Sequence, residues 1–244
     1  MQSSFSNSFL NSPSGDGSMN IQLTNAAKRF NRDWIFRRLN YTFQQGIAYA
    51  ITGPNGSGKS TLLQTIAGAI APSEGTVKYL INREGIDETT SQLKTQNSKL
   101  RTQNTGLSTE NIYNQIAIVA PYLEVIEEMT ATEFLHFHAI FKPLLSNISI
   151  NQILEIVGLK LAIHKQIRYY SSGMKQRIKL AQAIFSDVPV LLLDEPCTNL
   201  DASGYALYHQ LIKDHCKNKL IIVSSNDVSE YDFCTEKLNI LDSK

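Results

Sequence analysis

Nine consecutive residues, Gly53-Pro54-Asn55-Gly56-Ser57-Gly58-Lys59-Ser60-Thr61, constrain this chain more than any other stretch. They satisfy the pattern G-x-x-x-x-G-K-S/T. A short apolar run over 47–51 precedes them. Leu62, Leu63, Ile66, Ala67 and Ile70 follow at helical spacing, with Pro72 as the expected stop. Strand, glycine loop and helix together form a cradle for a triphosphate. Glycines at 53, 56 and 58 let the backbone curl so that successive N–H groups face the phosphates. The helix N-terminus adds its positive end. In such a loop Lys59 reaches the β- and γ-phosphates and the Ser60 hydroxyl ligates Mg²⁺. The plain alternative, a glycine-rich turn before a helix, does not account for the lysine and the hydroxyl that follow. The loop therefore predicts ATP and Mg²⁺ as ligands.

The rest of the chain is read around that loop. With 244 residues, 42% of them hydrophobic, it can fill the core of one α/β domain with a small inserted lobe. The formal charge is +1, so nucleic acid is not expected as a partner. No apolar run reaches the roughly 18 residues that span a bilayer. Cys197, Cys216 and Cys234 are far apart and show no metal spacing, so they read as free thiols in a reducing cytosol. Residues 1–18, dominated by Ser, Asn and Gly, are expected to form a disordered tail with no secretory pattern, and Met19 is a possible true start. The domain is expected over 19–243. Within it, about 82–111 reads as a flexible polar insertion; Thr-Gln-Asn occurs there at both 95–97 and 102–104.

Short β-like runs at 21–23, 34–36, 41–43 and 47–51 suggest an N-terminal antiparallel β subdomain. A mostly helical segment spans about 122–175. It contains two capping-box starts, Thr130 with Glu133 and Ser149 with Gln152, and Gly158 fits the stop of the second helix. Buried strands are expected at 116–119, 190–193 and 220–223. Strands alternating with helices give an α/β fold of the P-loop NTPase type: a mainly parallel sheet, the antiparallel β subdomain and an inserted helical subdomain. Ligands in such sheets bind at the carboxyl ends of the strands.

The polar ends Asp194-Glu195-Pro196 and Ser224-Ser225-Asn226 lie there with the glycine loop. Asp194 follows four apolar residues, where it can hold Mg²⁺, and Glu195 comes next, where it can polarise an attacking water. An acidic pair could merely cap a turn, but not beside so complete a glycine loop. Tyr170-Ser171-Ser172-Gly173-Met174 opens a helix through Ile178, Ala181 and Ile184, a second anion-binding turn.

This ordered set, over roughly 19–243, resembles the nucleotide-binding domain of ATP-binding cassette (ABC) transporters. The resemblance implies a head-to-tail pair, formed with a second copy or a related ABC domain. Each ATP is then held between one P-loop and the other domain's signature turn. Ser171 and Gly173 would touch the γ-phosphate across that pair. Tyr170, Ser172 and Met174 replace the first, third and fifth residues of the usual Leu-Ser-Gly-Gly-Gln. Asn199-Leu200-Asp201 is similar to the family's D-loop, and Phe30 is placed like its adenine-stacking aromatic, although a strand-end core position would also explain it. Two departures stand out. Pro121 occupies the place of the family's Mg²⁺-contacting Gln, and Asn226 that of its switch His. An Asn amide can donate a hydrogen bond but carries no positive charge. Glu195 and Asn226 are thus the catalytic candidates, with turnover expected to be slow or partner-dependent.

His136 and His138 lie two apart on a helix and do not share a face. Lys175, Arg177 and Lys179 read as a solvated basic face, and no other basic stripe interleaved with exposed aromatics is apparent. The leading reading is the ATP-hydrolysing subunit of an ABC transporter, export-type, serving a separate transmembrane permease. Its expected place is the cytoplasm, peripheral at the inner face of the membrane. A soluble non-transport ABC ATPase and a regulatory nucleotide-binding module remain as alternatives.

Overall fold

The computed structural model describes residues 17–84, 102–107 and 111–244. Two sheets organise the chain. The first is antiparallel, in the order β2-β1-β4-β5, from β1 (Gly17–Phe30), β2 (Asp33–Gln44), β4 (Glu74–Glu84) and β5 (Thr102–Leu107). The second has the order β6-β7-β8-β3-β9, from β3 (Ala48–Thr52), β6 (Ile116–Val119), β7 (Val190–Asp194), β8 (Leu220–Ser224) and β9 (Glu236–Asn239). All its neighbours pair in parallel. The helices are α1 (Lys59–Ile66), α2 (Ala131–Phe141), α3 (Ile150–Ile156), α4 (Ser172–Ile184) and α5 (Ala202–His215).

The period of two along each central strand decides the layering. Leu191, Leu193, Ile221, Val223 and Ala50 face one core, shared with α2–α5. Val190, Leu192, Leu220, Ile222 and Ile51 face the other, closed by α1 through Leu62, Leu63 and Ile66 and by the antiparallel sheet through Ile21, Leu23 and Phe43. Both faces are apolar, so these strands read as continuous hydrophobic runs.

Several local expectations are met. Thr130 and Ser149 both form complete capping boxes, with Glu133 and Gln152. Gly158 adopts φ 72° just past α3. Others need correction. α1 stops at Ile66, not at Pro72, because the chain turns through Gly68 at φ 74°. Gly17 and Ser18, assigned to the tail, belong to β1 and pair with Arg83 and Asn82. The rest of the tail reading, residues 1–16, lies outside the described residues. So do 85–101 and 108–110 of the polar insertion. Its segment Thr102–Leu107 is β5, a fourth strand of the first sheet. Among the described residues, no helix is long and apolar enough to cross a membrane.

Candidate active site

The glycine loop leaves β3 at Thr52 and enters α1 at Lys59. Gly53, Gly56 and Gly58 all have positive φ, at 146°, 73° and 104°. Space requires glycine as well: a Cβ at Gly58 would run into the Ile35 side chain on β2, and one at Gly53 would press on Ser57 Oγ and Ile240. Pro54, Asn55 and Gly56 are exposed at the tip, and Ser60 and Thr61 begin the helix half-buried. Lys59 is buried, and its ammonium donates to the carbonyls of Gly53 (2.9 Å) and Pro54 (3.2 Å). Ser57 Oγ is buried without a hydrogen-bond partner. A buried orphan hydroxyl costs about 1–3 kcal/mol, and this one lies inside the glycine loop, beside Gly53.

Parallel pairing brings the other candidates to the same edge. Val119 pairs with Leu193, and Asp194 with Ser224. Asp194 is buried, and one of its oxygens accepts the Ser224 hydroxyl at 2.7 Å. Glu195 adopts φ 45°; its N–H donates to Ser224 O, and its carbonyl accepts from Thr198 N and Thr198 Oγ1. Ser225 N–H donates to Ile51 O, which ties the end of β8 to the strand that feeds the glycine loop. Asn226 follows, exposed. Pro121 is exposed beyond β6, and Tyr122 beside it faces the site. Burial pushes the Tyr122 phenol up, a hydrogen bond with Gln64 of α1 works against this, and the Asp194 charge adds to the rise. Sequence reading gave Tyr122 no role, because no motif includes it.

The signature turn is built as expected. Ser171 caps α4, its hydroxyl accepting from Met174 N–H at 3.3 Å. Gly173 lies so close to Asn199 O that an added Cβ would approach it to 3.1 Å. Buried Gln176 donates to Pro196 O at 2.6 Å, which joins α4 to the Glu195 turn. Asp201 caps α5 through Gly204 N–H (2.8 Å) and also accepts the Ser203 hydroxyl (2.7 Å). Phe30 is half-exposed at the end of β1, with the Lys28 ammonium over its ring.

The basic residues correct the sequence reading in part. Lys175 is paired with Glu127, and Arg177 bonds Ser203 and lies near Asp201, so these two of the three cations are tied to other side chains and not simply solvated. A second basic stretch, Lys28, Arg29, Arg32, Arg37 and Arg38 on the β1–β2 hairpin, carries one exposed aromatic, Phe30, beside half-buried Trp34. Trp34 is not free to stack on a base, since the Arg29 and Arg37 guanidiniums lie 5.3 and 4.6 Å from its ring. The three cysteines are buried free thiols, and among the described residues no cluster of His, Cys, Asp or Glu is placed to hold a metal. His136 is exposed, and His138 meets the Ser186 hydroxyl at 2.8 Å.

Comparison with known proteins gives a consistent picture. The ABC transporter family model matches residues 36–198. The chain is 30% identical over 207 residues to the ABC transporter ATP-binding protein YybJ of Bacillus subtilis, covering 84% of this chain and 85% of that protein. It is also 30% identical over 210 residues to the cytochrome c biogenesis ATP-binding export protein CcmA of Agrobacterium fabrum, covering 85% and 88%. An ABC transporter ATP-binding protein structure from Pyrococcus furiosus superposes with a TM-score of 0.71 at 20% identity, over 92% of this chain and 99% of that one. A dimeric bacterial ABC transporter cassette does so with a TM-score of 0.68 at 21% identity, over 90% and 94%. The chain belongs to the ABC transporter family, as one of its ATP-binding cassettes.

Proposed function

We propose that this cassette binds ATP with Mg²⁺ and hydrolyses it slowly, energising a separate membrane permease as one half of a head-to-tail cassette pair. One observation carries the reading. Buried Lys59, orphaned Ser57 Oγ, the Asp194–Glu195 pair and Asn226 all gather at the carboxyl edge of one parallel sheet. Amides of the glycine loop between Asn55 and Thr61 and the Lys59 ammonium bind the β- and γ-phosphates; the ammonium exchanges two loop carbonyls for phosphate oxygens. Ser60 and Asp194 would hold Mg²⁺, which neutralises charge building on the phosphate oxygens. Glu195 takes a proton from the attacking water, and Asn226 donates a hydrogen bond toward the γ-phosphate. Phe30 stacks on the adenine. Ser171 and Gly173 close the nucleotide of the facing cassette, and Asp201 lies at that interface. A dimeric structure among the neighbours supports the pairing.

Export is the favoured direction. The match spans 88% of the export protein CcmA, against 43% of a spermidine/putrescine import protein, PotA of Fusobacterium nucleatum, at 34% identity. The test is Glu195→Gln. Steady-state phosphate release should fall at least about 100-fold, and the protein should accumulate as an ATP-bound dimer on a sizing column. A monomer that binds ATP equally before and after the change, with no phosphate release in either form, would instead indicate a regulatory nucleotide-binding module.

A further inference from the structure

We propose that Glu230 is a positioning residue for hydrolysis, its buried carboxylate latching the turn that carries Glu195 to the turn that carries Asn226. The inference rests on the proposed role of Glu195. Glu230 stands in a single 3-10 turn, Val228–Glu230, and is 3% exposed. Its Oε1 accepts the Cys197 N–H at 2.7 Å. That amide matters because of what precedes it. Glu195 N–H is already committed to Ser224 O, and Pro196 has no N–H to give. Cys197 therefore supplies the first amide after Glu195 that can fix the turn from below. It is buried and needs a buried acceptor. An ionised carboxylate makes that bond roughly twice as strong as a neutral acceptor would.

Its backbone is tied to the other turn, since Glu230 N–H donates to Asp227 O, next to Asn226, at 3.1 Å. Ser225, the residue before Asn226, is buried, with its Oγ accepting Asp227 N–H at 2.9 Å. The latch is held from behind, since the buried Tyr208 hydroxyl donates to Glu230 O at 2.9 Å. Glu230 thus joins the backbone two residues past Glu195 to the turn just after Asn226. Burial pushes its carboxyl up, the Cys197 bond works against this, and the charges of Asp227 and Glu195 add to the rise. A group kept there only for stability would be better replaced by an apolar side chain of the same volume.

The experiment compares Glu230→Met, which keeps volume but accepts nothing strongly, with Glu230→Gln, whose amide oxygen can still receive the Cys197 N–H. Small misplacements at a reacting centre are costly, so Glu230→Met should lower kcat at least about tenfold. KM for ATP and the Kd for a fluorescent mant-ATP probe should stay within about threefold, since the glycine loop is untouched. Glu230→Gln should recover most of kcat. Amide hydrogen exchange over 195–198 and 224–227 should quicken in the methionine variant without a general rise. Equal kcat in the methionine variant and the parent overturns the proposal; so does a glutamine variant as slow as the methionine one, or unchanged exchange at both turns. If the parent itself releases no phosphate, the hydrolytic reading fails, and the exchange data alone decide whether the latch exists. Should Glu230→Met not fold, Ser225→Ala loosens the Asn226 turn on which the latch acts, by removing the acceptor of the Asp227 N–H. A fall in kcat at constant KM then supports it, and an unchanged kcat refutes it.

Discussion

Asn226 is exposed one residue past buried Ser225, at the edge where the glycine loop and Glu195 also end. Its amide donates but carries no charge. A histidine there adds a cation and a ring of comparable reach. Losing one preorganised donor at a reacting centre typically costs about 10²–10³ in rate. Asn226→His should therefore raise kcat for phosphate release by about tenfold or more, short of that ceiling because the asparagine supplies part of the interaction. A rate unchanged by the substitution would place the slow step elsewhere. The contrast with Glu230 shows what a sequence discloses at this scale. Lys59, Ser60, Asp194 and Glu195 were legible because fixed spacing to a glycine loop or a strand end defines them. Glu230 sits in a polar run with no motif around it, and its significance comes from contacts 33 residues away in the chain. Tyr122 was missed for the same reason. The groups that act on its phenol, Gln64 of α1 and Asp194 at the end of β7, are distant from it in the chain.

Elements were legible wherever local chemistry agreed with burial. Both capping boxes formed because each pairs its side-chain oxygen and backbone donors within one helical turn. The central strands were legible because both their faces are apolar. β5 was not: in Thr-Gln-Asn-Thr-Gly-Leu two threonines are offset by Asn, Gly and Gln with no aromatic, and the strand forms against the free edge that β4 offers. One glycine has a part in the first sheet that spacing did not reveal. Gly75 opens β4 at φ 74°, opposite the irregularity in β1 where Asn25 adopts φ 51°. A Cβ at Gly75 would collide with the Asn25 carbonyl, which is backbone and cannot swing aside. Gly75→Ala should destabilise the fold by about 3 kcal/mol, from positive-φ strain together with the clash. Denaturant melts measure this. The glycine loop lies at the end of a strand of the other sheet, so phosphate binding, read as mant-ATP affinity well below the melting temperature, should change less than about threefold. A loss of stability under about 1 kcal/mol would mean that β1 and β4 part easily at this point.

At the scale of the whole molecule, a formal charge of +1 conceals an uneven distribution. From Lys28 to Arg38 there are five cations and one carboxylate, a surplus of four, so the remainder of the chain is net negative by three. The fold puts this basic hairpin against the nucleotide site: Ile35 of β2 packs directly on Gly58, and Phe30 ends the preceding strand. Net charge was legible from composition. Its concentration beside the glycine loop was not, because 28–38 and 53–61 meet only when the antiparallel sheet closes on α1. MgATP is an anion, and a basic rim beside an anion site accelerates encounter without adding contacts to the bound state. Screening within a Debye length of about 8–10 Å at physiological salt should remove most of that gain. Arg29 and Arg37 are unsuitable probes, because both stack on Trp34 and their loss would disturb packing. Arg32 and Arg38 are exposed. Arg38 adopts φ 52°, a conformation asparagine tolerates, so Arg32→Gln with Arg38→Asn removes two charges at little structural cost. Stopped-flow association of mant-ATP at low salt should slow by about two- to fivefold in this pair, while dissociation stays the same. The parent and the variant should converge as sodium chloride rises toward about 0.5 M. A change confined to dissociation would mean instead that these arginines touch the bound nucleotide.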